Sequence, residues 1–363
     1  MTIAIQSPAK YVQGAGELTN LPMHCQVLAA EGAYVLIDPF IFEQYGASFQ
    51  HSFQAQAYKA HFSPFQGECS RAEVERQLAL VKQSNLKVIV GIGGGKTLDT
   101  AKAVAFYADL PVVIMPTAAS SDAPCSALSV LYTEEGQFSE YLFLKQNPNL
   151  VLVDTDIVAK APVRLLVAGI GDALATYFEA RANFRSNKAT IAGGQQSLTA
   201  MALAELCYHT LLEDGLKAVI AAEQGLSSRA LMNIVEANTY LSGIGFESGG
   251  LAAAHSIHNG LTVLPETHEM LHGEKVAFGV LCQLILENAD AHEIDTVIGY
   301  CQQIGLPTCL ADLGVDSDDI FEKAMQVAKA TCVEGETIHN MPFAVIEDEV
   351  AAAILVADEL GRG

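Results

Sequence analysis

Four short runs in the first 160 residues are apolar almost throughout: 33–37, 86–90, 111–115 and 150–153. Continuous apolarity, rather than alternation, means that both faces of a strand are covered. A parallel sheet with helices on either side provides that covering. Stretches of helical composition separate the runs, most clearly at 98–108, so the order is strand, helix, strand. From about residue 161 the pattern changes. Ala- and Leu-rich segments at 164–183, 189–213, 226–243, 274–290 and 318–333 carry helical periodicity and few β-branched runs. The expected architecture is an α/β domain with a doubly covered parallel sheet over 1–160 and an all-α domain over 161–363. A length of 363 residues suits two domains, and a 50% hydrophobic composition is ample for two cores.

The second apolar run leads directly into Gly-Ile-Gly-Gly-Gly-Lys-Thr at 91–97. Glycines let a ligand approach the backbone closely, and the N-terminus of the following helix offers free amides at a positive dipole end. This is a phosphate cradle or a tight strand–helix turn. It is neither the Gly-x-Gly-x-x-Gly fingerprint nor a P-loop. Asp38, ending the first run before Pro39, is either a turn residue or an acceptor for the two hydroxyls of a ribose. Lys96 would neutralise a pyrophosphate, or be a solvated lysine at a helix start. After the third run comes a loop of hydroxyls, small residues and one carboxylate, Thr117 to Ser126. It lies where open α/β sheets bind ligands, beyond the strand C-termini. Cys125, within it, reads as a structural thiol.

Four of the ten histidines, His255, His258, His268 and His272, fall within eighteen residues. A helix would put His255 and His258 on one face. Pro265 then ends that helix, so the second pair comes from a loop or a new helix start. Clustered neutral imidazoles are good ligands for a metal such as zinc. Asp172 follows Gly169-Ile-Gly171. It is either a carboxylate in the first turn of a helix, favoured by the dipole, or an oxygen ligand joining two of these histidines.

The formal net charge of −22 repels phosphate backbones and anionic lipid, which argues against nucleic-acid and membrane partners. No apolar run is long enough to span a bilayer. The first residues carry neither a basic nor an apolar leader segment, so no secretory signal is expected. Eight scattered cysteines without a Cys-x-x-Cys pair suit reduced thiols in the cytoplasm.

Five segments in order carry a resemblance: Gly-Gly-Gly-Lys-Thr-Leu-Asp-Thr-Ala-Lys (93–102), Ser-Ser-Asp-Ala-Pro-Cys-Ser-Ala-Leu-Ser (120–129), Gly-Ile-Gly-Asp-Ala-Leu-Ala-Thr (169–176), Gly-Phe-Glu-Ser-Gly-Gly-Leu-Ala-Ala-Ala-His (245–255) and His-Gly-Glu-Lys-Val-Ala-Phe-Gly (272–279). Glu-Gly-Glu-Thr-Ile-His-Asn-Met-Pro (334–342) adds to them. Together they resemble the bacterial glycerol dehydrogenases of the metal-dependent, iron-containing alcohol dehydrogenase superfamily, along nearly the whole chain. The resemblance implies the dehydroquinate synthase-like fold, with a cleft between an N-terminal Rossmann-like domain and a C-terminal helical one. It implies zinc ligands at Asp172, His255 and His272, with His258 and His268 as neighbours. It implies NAD contacts at Asp38, Gly94, Gly95, Lys96, Thr97, Asp99, Thr117, Ser120, Ser126, Leu128 and Tyr132. It also implies a substrate contact at Asp122, with Phe246 lining the pocket.

The implied reaction oxidises glycerol or a related vicinal diol with NAD, giving dihydroxyacetone and NADH from glycerol. Asp122, Asp172, His255 and His272 form the catalytic set, and the partner is a small polyol. The resemblance further implies a homo-oligomer, often an octamer. A dehydroquinate synthase reading would require several cations for a phosphorylated carboxylate. Around the metal segments there are only Lys275 and the more distant Arg164 and Arg181.

Overall fold

The computed structural model describes residues 2–316 and 319–363. Residue 318, where the last helical segment is expected to begin, lies outside them. Six strands form one parallel sheet: β1 (Tyr11–Gly14), β2 (Ala33–Ile37), β3 (Ala60–Pro64), β4 (Val88–Gly93), β5 (Val112–Pro116) and β8 (Leu150–Asp154). Their spatial order is β1-β8-β5-β4-β2-β3. A separate antiparallel hairpin joins β6 (Leu128–Tyr132) to β7 (Phe138–Phe143). Helices α1 (Leu21–Leu28), α2 (Pro39–Ala55), α3 (Arg71–Ser84) and α4 (Gly95–Ala108) lie between the strands in the chain.

Alternate residues of each central strand enter different cores. Tyr34, Leu36, Ile89, Ile114, Val151 and Val153 join one, with Leu98, Ala101 and Val104 of α4. Ala33, Val35, Ile37, Val88, Val90, Ile92, Val113 and Met115 join the other, with Phe49 and Phe53 of α2. This is why the strands read as apolar at every position. The first core does not stop at residue 160. It continues through the helical remainder as far as Ala357, so the two cores divide at the sheet.

After the short α5 (Thr155–Val158) come α6 (Val163–Ser186), α7 (Leu198–Glu223), α8 (Arg229–Glu236), α9 (Ser242–Gly249), α10 (Ala253–Leu261), α11 (His272–Leu286), α12 (Ala291–Ile304), α13 (Ile320–Thr331) and α14 (Glu347–Gly361). A π-helical turn, Ala237–Leu241, joins α8 to α9. The second helical segment begins nine residues later than expected, at Leu198, after Ser197 caps it by accepting from the Ala200 N–H. Asp172 is not in a first turn. Helix α6 starts at Val163 behind Pro162, so Asp172 is buried in mid-helix and the dipole explanation for it fails.

The glycines before Asp172 serve close approach. A Cβ on Gly169 would lie 1.9 Å from the Ala119 carbonyl oxygen, and one on Gly171 would lie 2.3 Å from that of Gly273. Gly273 reciprocates, its Cβ position being 1.7 Å from the Ala168 oxygen. Three backbones therefore meet beside Asp172: α6, the loop after β5, and the first turn of α11.

Gly171→Ala is expected to lower the unfolding free energy by about 1–3 kcal/mol, because backbone and not a flexible side chain must yield. Gly299→Ala is the control. It lies on α12 in open space, and the helix should gain about 0.5–1 kcal/mol. Urea unfolding of both variants measures the contrast.

Candidate active site

Sheet topology brings the first cluster together. Chain direction across the sheet reverses between β2 and β4, where doubly wound sheets place ligands. Asp38 follows β2, and Gly93 ends β4. Gly93 has φ +151°, and a Cβ there would lie 2.9 Å from the Asp38 Cβ. Asp38 caps α2 through Oδ1 alone, accepting from the Phe40 and Ile41 N–H groups at 2.9 and 3.3 Å. Thr117 joins the cluster by donating its N–H to the Gly93 carbonyl at 3.1 Å.

Helix α4 begins at Gly95 without a side-chain cap, and a Cβ on Gly94 or Gly95 would meet nothing within 4 Å. Amides facing open space at a helix N-terminus fit the phosphates of a dinucleotide. Lys96, beside them, is ion-paired with Glu68. Asp99 is directed inward. Its Oδ1 is 3.3 Å from the Lys102 ammonium, and its Oδ2 accepts from the Val130 N–H at 3.1 Å. Ser126 is buried, whereas Ser120, Leu128 and Tyr132 are half-buried. Burial pushes the Tyr132 phenol up to about 12.

The second cluster is formed by three helices. Asp172 on α6, His255 on α10 and His272 at the start of α11 offer ligand atoms that all lie within 4.8 Å of one another. The two imidazole Nε2 atoms face Asp172 Oδ1 at 3.4 and 3.1 Å. That oxygen is buried and makes no well-aligned hydrogen bond. One orphaned carboxylate oxygen opposite two imidazoles is a donor set that fits a divalent cation such as zinc. Burial opposes the charge on Asp172, but the two imidazoles outweigh it and hold the carboxyl far below the usual range. His272, the most exposed of the three, forms the open side.

Glu179, two turns after Asp172 on α6, fixes His255. One oxygen accepts from the Ala252 and His255 N–H groups, both at 2.9 Å, and the other is 2.6 Å from His255 Nδ1. Burial disfavours a charge on His255, but Glu179 and Asp172 together raise its proton affinity. His258 bonds His272 Nδ1 through Nε2 at 3.0 Å, so it supports a candidate ligand. His268 points elsewhere and pairs with the Thr262 carbonyl.

Asp122 links the two clusters. Its N–H donates to Asp172 Oδ2 at 3.1 Å. Its carboxylate accepts from the Ser242 hydroxyl at 2.8 Å, and Ser242 in turn contacts Thr176 Oγ1 at 2.7 Å. Burial and the Asp172 charge raise the Asp122 carboxyl well above its ordinary value. Phe246, one turn beyond Ser242 on α9, is buried. Burial also raises the Cys125 thiol well above its ordinary value, which keeps it an unreactive core group.

Glu179 could have been found in the sequence as a second acid seven residues from Asp172, on one face of an otherwise Ala-rich helix. Lys102 carries a comparable signal, as the cation three residues after Asp99 in an apolar helix.

Residues 8–155 match the iron-containing alcohol dehydrogenase family. Over its full length the chain is 55% identical to a glycerol dehydrogenase of Citrobacter freundii, covering 99% of that protein. It is 53% identical to one from Thermotoga maritima, covering 98% of this chain and 96% of that one. The crystal structure of glycerol dehydrogenase from Schizosaccharomyces pombe superposes with a TM-score of 0.94 at 40% identity, over 99% of this chain and 91% of the other. The chain therefore belongs to the iron-containing alcohol dehydrogenase family, among its glycerol dehydrogenases.

Asp172→Ala, His255→Ala and His272→Ala are each expected to abolish stoichiometric metal, because a three-ligand site has no spare. His258→Ala should retain it. Glu179→Gln should bind metal about 10–100-fold more weakly. Elemental analysis and chelator competition measure these. Loss of metal from His258→Ala, together with its retention by His272→Ala, would reverse the ligand assignment.

Proposed function

We propose that this chain is a zinc-dependent glycerol dehydrogenase, oxidising glycerol and related vicinal diols with NAD. The observation that carries the reading is the bond from the Asp122 N–H to Asp172. It sets the loop at the cofactor end of the sheet against the metal triad. Residues 1–160 would bind NAD, and residues 161–363 would bind metal and substrate. Asp172, His255 and His272 would hold zinc. Asp38 would receive the adenosine ribose on the carboxylate oxygen not used for capping. The turn from Gly94 to Thr97 would receive the pyrophosphate, and Thr117, Ser120, Ser126, Leu128 and Tyr132 would line the remaining length.

Bound zinc supplies Lewis acidity to an alcohol, and bound NAD accepts the hydride. The residues do the rest. Glu179 and His258 hold the ligand imidazoles in orientation. Asp172 is anchored by a main-chain N–H, so it cannot swing away. Asp122, with a raised proton affinity and one oxygen fixed by Ser242, is suited to exchange a hydrogen bond with a substrate hydroxyl. Phe246 would exclude water beside it.

The nearby cations argue against a phosphorylated substrate. Arg164 is paired with Glu274, and Arg181 with Glu287 and Glu293. Lys275 is buried and directed at the Thr267 carbonyl. A dianion entering this pocket would lose hydration without gaining a bidentate partner. Among the described residues no helix is long and apolar enough to cross a membrane, and all eight cysteines are free. These features support a cytoplasmic enzyme, and we propose that it works as a homo-oligomer.

The deciding measurement is NADH formation at matched substrate concentrations, before and after chelation. Glycerol and 1,2-propanediol should be oxidised, ethanol poorly, and glycerol 3-phosphate not at all. Comparable turnover of glycerol 3-phosphate would overturn the pocket assignment. NAD should be preferred to NADP, since Asp38 would face the 2′-phosphate. At a few ångströms and an effective dielectric near 20, that repulsion is on the order of a few kcal/mol, roughly a hundredfold. Asp38→Gly should narrow the gap. Equal kcat/KM for both cofactors in the unaltered enzyme would exclude the role.

A further inference from the structure

Lys102 is wholly buried, its side chain having no exposed surface. It lies two turns into α4, the helix whose N-terminus forms the glycine turn. Its ammonium is 2.6 Å from the Ala123 carbonyl oxygen, 2.9 Å from that of Leu128, 3.3 Å from Asp99 Oδ1 and 3.4 Å from Ser126 Oγ. Three of these four partners belong to one stretch, 122–128, and they flank its whole length. Ala123 directly follows Asp122. Ser126 and Leu128 are among the proposed cofactor contacts.

The other side of the same stretch is held by a buried charge of opposite sign. Glu247 of α9 accepts from the Ala127 N–H at 2.8 Å and from the Asn147 side-chain amide. Successive residues thus turn alternately toward a cation and an anion: Ser126 to Lys102, Ala127 to Glu247, Leu128 to Lys102. A core lysine serving only to fill space would not collect two loop carbonyls. Those carbonyls could otherwise turn toward solvent or ligand, and the loop would lose its shape.

We propose that Lys102 is a positioning residue that fixes the substrate-contacting Asp122 and the cofactor-contacting Ser126 and Leu128 as one rigid unit on α4. Asp99 serves in the same device. It neutralises the ammonium and anchors β6 through Val130, so it acts on cofactor binding through the loop. The inference rests on the proposed NAD and substrate roles of that loop.

The test uses zinc-loaded, full-length protein and two variants. Lys102→Met keeps the length of the side chain and removes the bonds to the loop. Asp99→Asn/Lys102→Met does the same without leaving an unpaired buried carboxylate. Three quantities are read: NADH affinity by fluorescence titration, zinc affinity by chelator competition, and kcat and KM for NAD and glycerol. We expect NADH binding to weaken at least tenfold and kcat/KM for glycerol to fall at least a hundredfold. Zinc affinity should fall much less than NADH affinity, because the three ligands are on α6, α10 and α11 and the loop reaches only Asp172, through the single Asp122 N–H.

Folded, zinc-loaded variants with NADH affinity and kcat within twofold of the unaltered enzyme would overturn the proposal. Parallel loss of zinc and NADH affinity, or failure of both variants to fold, would also overturn it by making Lys102 a general support of the fold. An unaltered enzyme that binds no NADH would instead sink the cofactor reading itself, which separates the two failures.

Discussion

A carboxylate buried in the middle of a helix must find its compensation outside that helix, and Asp172 is in this position. Its own N–H and C=O groups are engaged in the α6 ladder, and neither helix end is near enough to lend a dipole. An unpaired carboxylate there would cost several kcal/mol. Compensation comes from two directions. The Asp122 N–H reaches Oδ2 from the loop after β5, and the imidazoles of His255 and His272 face Oδ1 from α10 and α11. The arrangement of four chain segments therefore follows from one charge.

Close packing makes this compensation geometrically possible. Helix axes usually lie 8–10 Å apart because side chains intervene. At Gly169, Gly171 and Gly273 they do not intervene, and main chain touches main chain. The imidazole of His272 and the amide of Asp122 can then reach a short aspartate. A glutamate on a more distant helix could span the same gap, but with more rotatable bonds and a less determined position.

Much of this arrangement was legible in the sequence, and the residues that escaped did so for identifiable reasons. The central strands β2, β4, β5 and β8 declare themselves because both faces are buried. The edge strands β1 and β3 and the hairpin β6–β7 are partly exposed and interrupted by polar residues, so their patterns are weak. The histidines and Asp172 were visible as residue types, but choosing His272 over His258 and His268 depended on the family resemblance. The structure separates the three by direction: His272 faces Asp172, His258 supports His272, and His268 points to a carbonyl. The resemblance implies cofactor contacts at Asp99 and Lys96, and in the fold the Asp99 carboxylate engages Lys102 while the Lys96 ammonium pairs with Glu68. A motif fixes which residues matter, and only the fold fixes which way they point.

The buried charges of this protein share a habit that explains the rigidity of the site. Asp172, Glu179, Glu247 and Lys102 each bond main-chain groups: the N–H of Asp122, of Ala252 and His255, of Ala127, and the carbonyls of Ala123 and Leu128. A salt bridge between two side chains leaves both backbones free to move. A charge bonded to a peptide group fixes the chain itself, and the low dielectric around it strengthens the bond. The loop from Thr117 to Leu128 belongs to no helix or strand for most of its length, yet it is clamped from three helices. Residues on such a loop, including the proposed ligand contacts, are set before any ligand arrives. The ordering entropy is then met during folding, and less binding free energy is lost in organising the site. Loop chemistry on a clamped loop gives the precision of a helix with the reach of an irregular chain.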